Sequence, residues 1–485
     1  MTIEAGMYID GSWVVGAGPR IAVVNPATLE RVGTIPAATP EEVDRALAAA
    51  RAAFPAWAKR APAERAEILK RVAALVAERA EEIGRLMTCE QGKPVKEAVG
   101  EIRKLADTFV FYAEEATRVH GEVIPNASTA YQSLVVREPI GVVAAIAPWN
   151  YPAELIGWKV AAGLAAGCSL VVKPPELTPL CPLAIMACLA DAGLPPGVVN
   201  MVTGSGSKVG QRMVESPLVD KVAFTGSSAV GLKIQQSARD IKHMSLELGG
   251  NSPLIVTAKA DLAAAVAGAA RRSFRNCGQI CIAINRIYVA RPVYETFLET
   301  LAATADALVV DDGLENPSAD LGALCSEEPL AKTKAHLADA LAKGARLIAG
   351  GAAPEGAKFE RGYFFRPTVV ADCRHDMQVM TEETFGPLVG VAPFDSLAEA
   401  VNLANDTPYG LAAYLYSKDL DEMRYASRHL DYGSVGVNTV DPGIINAPYG
   451  GWKQSGVGVE HGRDGLLEYL NTKHIRLCFD EGAVS

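Results

Sequence analysis

The sequence predicts an α/β protein built on two doubly wound sheets, and three observations carry that expectation. At 485 residues the chain is too long for a single hydrophobic core. From Gly141 onward, short apolar runs alternate with helix-compatible stretches, the signature of βαβ units and a parallel sheet. A second region of the same texture opens near Pro253.

The first 120 residues read mostly as helices. Pro40-Glu41-Glu42 opens one amphipathic run, and Pro62-Ala63-Glu64 opens a longer one to about Glu90, with proline early and acids in the first turn. Ile68, Leu69, Val72, Leu75 and Val76 recur at helical spacing and give that run a buried face. VVAAIA (142–147), SLVVK (169–173), VVNMV (198–202) and KVAFT (221–225) are then the expected strands of a nucleotide-binding sheet. In the second region LIVT and RIYVA alternate with helix-like stretches from Asp261 to Arg275, Pro292 to Leu308 and Leu330 to Lys343. SLVVREP (133–139) and the late EYLNTKHIRLCF are extended segments outside both regions, suited to pairing with another strand, including one in a neighbouring subunit.

Composition narrows the function. A hydrophobic share of 49%, a charged share of 21% and a net charge of -10 describe a mildly acidic globular chain and argue against nucleic acid as a partner. The nine cysteines, at 89, 168, 181, 188, 277, 281, 325, 373 and 478, form no disulfide framework, so a reducing cytoplasmic setting is expected. MTIEAGMYIDGSW lacks a basic segment followed by an apolar one, so no secretory leader is expected there. No apolar run reaches the length of a membrane span.

The chemistry concentrates in two places. FRNCGQIC (274–281) ends on Cys281 after Gly278, whose backbone freedom suits a turn that exposes a side chain. Cys277 lies four residues earlier, but no further Cys or His stands at a ligand spacing, so no metal site is expected. Glu247 ends the strand-like HMSLEL between two leucines, and apolar company raises a carboxylate toward the range of a general base. A nucleophile with a base implies a covalent thiol mechanism. TGSGSKVG (203–210) is one residue too long for the dinucleotide fingerprint, and FTGSSAVG (224–231) is a strand, a turn and a helix start. Either is a phosphate site or an ordinary βα turn. Lys173 and Glu176 place a cation and a carboxylate at a strand's C-terminal end, where open α/β sheets bind nucleotides.

PWNYP (148–152), KPPE (173–176), FTGS (224–227), LELGG (246–250), GQIC (278–281), EETFGP (382–387) and PYGGWKQSG (448–456) together resemble the aldehyde dehydrogenase superfamily, in order and at similar separations. The resemblance runs from about residue 7 to residue 478. It implies an NAD-binding Rossmann-like domain from residues 1–120 and 141–249, a catalytic domain from 250–463, and oligomerisation segments at 121–140 and 464–485, with a homodimer or homotetramer as the assembly. In mechanism it implies Cys281 as nucleophile, Asn150 with the Cys281 backbone N–H as oxyanion donors, and Glu247 as the base that hydrolyses the thioester.

For the cofactor the resemblance assigns Lys173 and Glu176 to the adenosine ribose, Ser227 to the pyrophosphate, Glu383 to the nicotinamide ribose and Phe385 to the nicotinamide face, with Trp149 and Gly226 also cofactor-binding. A carboxylate at Glu176 accepts from a ribose 2′-hydroxyl and repels a 2′-phosphate, so NAD is expected over NADP. Glu460 matches a second carboxylate that relays protons. Arg275 is similar to the carboxylate-binding arginine of succinate-semialdehyde dehydrogenases. Trp158 stands where those enzymes carry a second arginine, and Gly443-Ile444 replaces their serine-containing stretch. With Ile280 and Ile282 beside the nucleophile, the expected substrate is a medium-sized apolar or aromatic aldehyde, with an ω-carboxylate semialdehyde as the alternative.

Other classes fare less well. A CoA-acylating relative lacks the glutamate of LELGG, a structural role tolerates loss of Cys281 or Glu247, and a cysteine hydrolase needs a histidine motif that none of the seven histidines shows.

Overall fold

The computed structural model describes residues 3–479, and its two large sheets follow from the two βαβ regions. The first has His243–Glu247, Lys221–Thr225, Val142–Ile146, Ser169–Lys173 and Val199–Met201 side by side, all parallel. Chain order along this row is fifth, fourth, first, second, third, so the winding reverses between Val142–Ile146 and Lys221–Thr225. A crevice at such a reversal is where ligands bind in open α/β sheets. Helices cover both faces, so Val142–Ile146, Ser169–Lys173 and Lys221–Thr225 are buried throughout and read as largely apolar runs.

The second sheet runs Arg346–Ala349, Thr368–Ala371, Leu388–Phe394, Ile284–Ala290, Ser252–Val256, Ala412–Tyr416 and Ser434–Val437. It is parallel apart from its antiparallel edge at Arg346–Ala349. The expected helix after Asp261 spans Leu262–Phe274, and the Asp261 side chain caps it by accepting from the Ala264 N–H.

Three features depart from the sequence expectation. Met7–Ile9 and Ser12–Val14, in a region read as helical scaffold, extend the first sheet as a hairpin at its edge. Gly456–Val457, inside the segment expected to be catalytic, crosses to the first sheet and pairs with Leu246 and Glu247. Strands of two or three residues are too short to leave a periodic signal.

The third departure concerns the extended tail. Leu470–Cys478 pairs antiparallel with Tyr131–Pro139 of the same chain over nine residues, and Glu122–Ile124 completes a three-stranded ribbon. The segment expected from 464 begins on the short helix Gly462–Leu467, and residues 480–485 lie outside the described part. Val123 (68% exposed) and Ile124 (40%) leave apolar surface on the outer strand of the ribbon. No helix among the described residues is long and apolar enough to cross a membrane.

Candidate active site

Two cavities meet at Cys281. One, of about 220 Å³, opens at the reversal point of the first sheet and is lined by Trp149, Asn150, Gly226, Ser227, Glu383 and Phe385. The other, of about 610 Å³, is lined by Trp158, Arg275, Ile280, Ile282, Ile444 and His461 among others. Cys281 and Asn150 belong to both walls.

The turn before Cys281 is unusual in its backbone. Asn276, Cys277 and Gly278 all have positive φ (48°, 54° and 69°), a conformation that costs the two non-glycine residues energy. Buried hydrogen bonds hold it: Gln279 Nε2 donates to the Asn276 carbonyl at 2.9 Å, and Asn276 Nδ2 donates to the Asn150 carbonyl at 3.0 Å. Cys277 is buried with its thiol on the Gly322 carbonyl at 3.2 Å, which makes it structural.

The Cys281 Sγ lies 3.4 Å from the Tyr449 hydroxyl. Burial pushes its pKa up to about 12, the Tyr449 contact opposes that, and Glu247 adds to it. Asn150 Nδ2 donates to the Gln279 carbonyl at 3.0 Å. An amide NH₂ carries two hydrogens, so one orients the group and the second is free to meet an oxyanion.

Glu247 is 3% exposed, and neither carboxylate oxygen has a hydrogen-bond partner among the described residues. Burial raises its pKa well above the usual carboxylate range, Glu460 raises it further, and Lys159 opposes both. Lys159 is fully buried, with Nζ at 2.7 Å from Glu460 Oε1 and 2.5 Å from Thr225 Oγ1. Thr225 is the register partner of Glu247, and Glu460 pairs through its backbone with Tyr449. The Lys159 side chain thus ties the strand of the base to the backbone pair that holds the second carboxylate and Tyr449.

In the cofactor cleft, Trp149 and Phe385 meet edge to face at 5.5 Å and form an apolar wall. Glu383 Oε1 accepts from the Gly250 N–H at 2.9 Å, and burial raises its pKa to about 7. Ser227 caps the helix Ser228–Ser237 and, with Gly226, lines the smaller cavity, so the helix N-terminus stands at its wall. An apolar slot, a carboxylate for ribose hydroxyls and a helix N-terminus for phosphate suit a dinucleotide. Lys173 is buried with Nζ on the Pro174 and Gly204 carbonyls at 3.0 and 3.3 Å, and burial lowers its pKa to about 8; Glu176 is half-buried three residues on.

Residues 13–475 match the family model described as the aldehyde dehydrogenase family. The chain belongs to the aldehyde dehydrogenase family. It is 46% identical over 472 residues to 3-sulfolactaldehyde dehydrogenase of Pseudomonas putida, covering 97% of this chain and 96% of that one. It is 44% identical to succinate-semialdehyde dehydrogenase [NADP(+)] GabD of Escherichia coli K12, covering 96% of each. The crystal structure of an aldehyde dehydrogenase from Brucella melitensis biovar abortus 2308 superposes with a TM-score of 0.96 at 42% identity, covering 99% of this chain and 98% of that one. This aldehyde dehydrogenase therefore has the two-sheet fold and aldehyde oxidoreductase activity of its family.

Every site residue named from sequence other than Lys173, Glu176, Glu247 and Glu460 lines one of the two cavities. Glu247 and Glu460 lie behind the wall. Sequence reading of this aldehyde dehydrogenase missed Tyr449, Lys159, His461 and the pair Lys93 and Glu101. Tyr449 sat inside PYGGWKQSG, and Glu97, Glu101 and Thr108 form a polar stripe at helical spacing that could have been noticed.

Proposed function

We propose that this enzyme oxidises an aldehyde carrying a distal anionic group, a carboxylate or sulfonate, to the corresponding acid. The observation that supports it most is Arg275 on the wall of the larger cavity. Its Nε is held by Glu97 Oε1 at 3.0 Å, and no hydrogen bond among the described residues engages its terminal nitrogens. Arg271 and Arg272 are both committed to Asp441, and Lys104 lies 4.0 Å from Glu154. Arg275 thus turns terminal nitrogens free of hydrogen bonds among the described residues toward the larger cavity, and the substrates in the names of both relatives carry an anion.

In the reaction the Cys281 thiol gives up its proton to solvent as its sulfur bonds to the aldehyde carbon, and the carbonyl oxygen becomes an oxyanion held by Asn150 Nδ2 and the Cys281 N–H. A nicotinamide dinucleotide, which Trp149, Ser227, Glu383 and Phe385 in the smaller cavity would hold, would supply the acceptor for the hydride lost from this carbon. The thioester that remains on Cys281 is hydrolysed by water, whose proton goes to Glu247; the carboxylic acid leaves and the thiolate returns. Glu460, held by Lys159 and electrostatically coupled to Glu247, is the carboxylate that relays this proton outward. Glu176 makes NAD the preferred cofactor, although one relative is named for NADP(+). The nine free cysteines fit a reducing compartment, and the ribbon edge fits a homo-oligomer.

Comparison of kcat/KM for succinate semialdehyde, hexanal and benzaldehyde in wild type and Arg275→Met tests the substrate. A preference for the semialdehyde that Arg275→Met removes is expected. Preference for hexanal or benzaldehyde in wild type supports the second reading, an apolar aldehyde, which rests on Trp158, Ile280, Ile282 and Ile444 in the same wall.

A further inference from the structure

His461 stands on the wall of the larger cavity and has no part in the steps above. It is 4% exposed, and neither ring nitrogen reaches full hydrogen-bond geometry with a partner among the described residues, although the Ile444 carbonyl is close enough to act on the ring. Its ring meets Trp158 edge to face at 4.1 Å and lies 5.4 Å from the ring of Tyr449, whose hydroxyl touches the nucleophile. A buried polar ring without partners is costly unless a bound molecule or solvent answers it.

The backbone sharpens the point. His461 has φ 62° and ψ 167°, a region that glycine occupies almost alone. Flanking hydrogen bonds enforce it: Glu460 N–H to the Tyr449 carbonyl at 2.7 Å, and Gly462 N–H to the Ile445 carbonyl at 2.8 Å. Glycine would relieve this strain, yet the chain carries a large polar side chain there and turns it onto the cavity wall. Strain held at a ligand wall points to a role for that side chain.

We propose that His461 is a specificity-determining residue that hydrogen-bonds a hydroxyl substituent on the carbon chain of the aldehyde. Burial lowers the ring's pKa to about 4, the Ile444 carbonyl opposes this, and Lys159 and Lys104 reinforce it. The ring is therefore uncharged at neutral pH, with one N–H donor and one acceptor nitrogen. A hydroxyl both donates and accepts, so it satisfies whichever nitrogen faces it. A carboxylate only accepts, and the uncharged ring gives it no Coulombic attraction, whereas Arg275 does. The inference rests on aldehyde oxidation at Cys281 and is independent of the anionic head.

Matched pairs test it: kcat/KM for 2-hydroxypropanal against propanal, and for 3-hydroxybutanal against butanal, in wild type, His461→Leu and His461→Asn. Wild type should favour the hydroxylated member of at least one pair about tenfold, the value of one hydrogen bond. His461→Leu should bring that ratio near one with little change on the plain aldehyde, and His461→Asn should restore part of it. Equal loss on both members, which a packing role would give, overturns the proposal. So does a selective loss on succinate semialdehyde, which would make His461 a head-group contact. A wild-type ratio near one in both pairs overturns it even if the variants do not fold. Failure of the anionic reading shows separately, as wild-type indifference between succinate semialdehyde and butanal.

Discussion

The buried ammonium of Lys93 donates to the backbone carbonyl of Asn150 at 2.8 Å while pairing with Glu101 at 2.6 Å. Both side chains of the pair are fully buried, and the other Glu101 oxygen accepts from the N–H groups of Ala153 and Glu154. The long helix Val95–Glu115, which carries Glu101, thereby fixes the loop that presents Asn150 to the aldehyde. Lys93 is a positioning residue.

Lys93→Met leaves Glu101 buried and unpaired, so stability should fall by about 3–5 kcal/mol. In the protein that remains folded, kcat should fall more than KM changes, because the oxyanion contact matters in the transition state. Urea unfolding and steady-state kinetics on one preparation check both parts. The double variant Lys93→Met, Glu101→Gln should recover much of the stability and little of the kcat.

The base sets the pH dependence. Glu247 must lose its proton to act, and burial with Glu460 holds that proton above the ordinary carboxylate range. Turnover limited by thioester hydrolysis should therefore rise with pH along a limb displaced upward from 4.5. Lys159 lowers the Glu247 pKa, so Lys159→Met should move the limb to higher pH by about one unit or more. Glu460→Gln should move it the other way. Profiles of kcat for the three proteins decide this, and an unchanged limb would disconnect the pair from the base.

The nucleophile rests as a thiol. With its pKa pushed to about 12, Cys281 in the cofactor-free enzyme should react slowly with iodoacetamide near neutrality, and faster as pH rises. Tyr449 favours the thiolate, so Tyr449→Phe should slow alkylation at pH 8 by roughly threefold to tenfold. Peptide mapping of the alkylated protein gives the rate at Cys281 alone.

In the proposed reading Glu176 sets the choice between NAD and NADP. Removing its charge in Glu176→Ser removes repulsion toward a 2′-phosphate and the acceptor for a 2′-hydroxyl. The ratio of kcat/KM for NADP over NAD should rise by about tenfold to a hundredfold. Side-by-side assays with the two cofactors measure it.

The sheets were legible because parallel strands covered on both faces are unbroken apolar runs between turns, as VVAAIA and KVAFT show. The hairpin Met7–Val14 and the crossing strand Gly456–Val457 were not, because their pairing is decided by tertiary contacts. The walls of the two cavities carry residues of the sequence motifs, Trp149, Asn150, Ser227, Cys281, Glu383 and Phe385 among them. Lys159 and Lys93 look like ordinary surface cations in sequence; only folding reveals that Lys159 is buried against Glu460, 301 residues on, and Lys93 against Glu101. His461 follows Glu460 in sequence, and nothing but the backbone shows its side chain on the cavity wall.

The central claim is a thioester on Cys281 that Glu247 hydrolyses. Rapid mixing of Glu247→Gln with NAD and succinate semialdehyde near neutral pH, followed by acid quench and mass spectrometry, tests it most directly. The account predicts about one NADH per subunit in a burst, almost no further turnover, and an acyl mass on the Cys281 peptide. Undiminished steady turnover, or a burst with the acyl group on another residue, would contradict it.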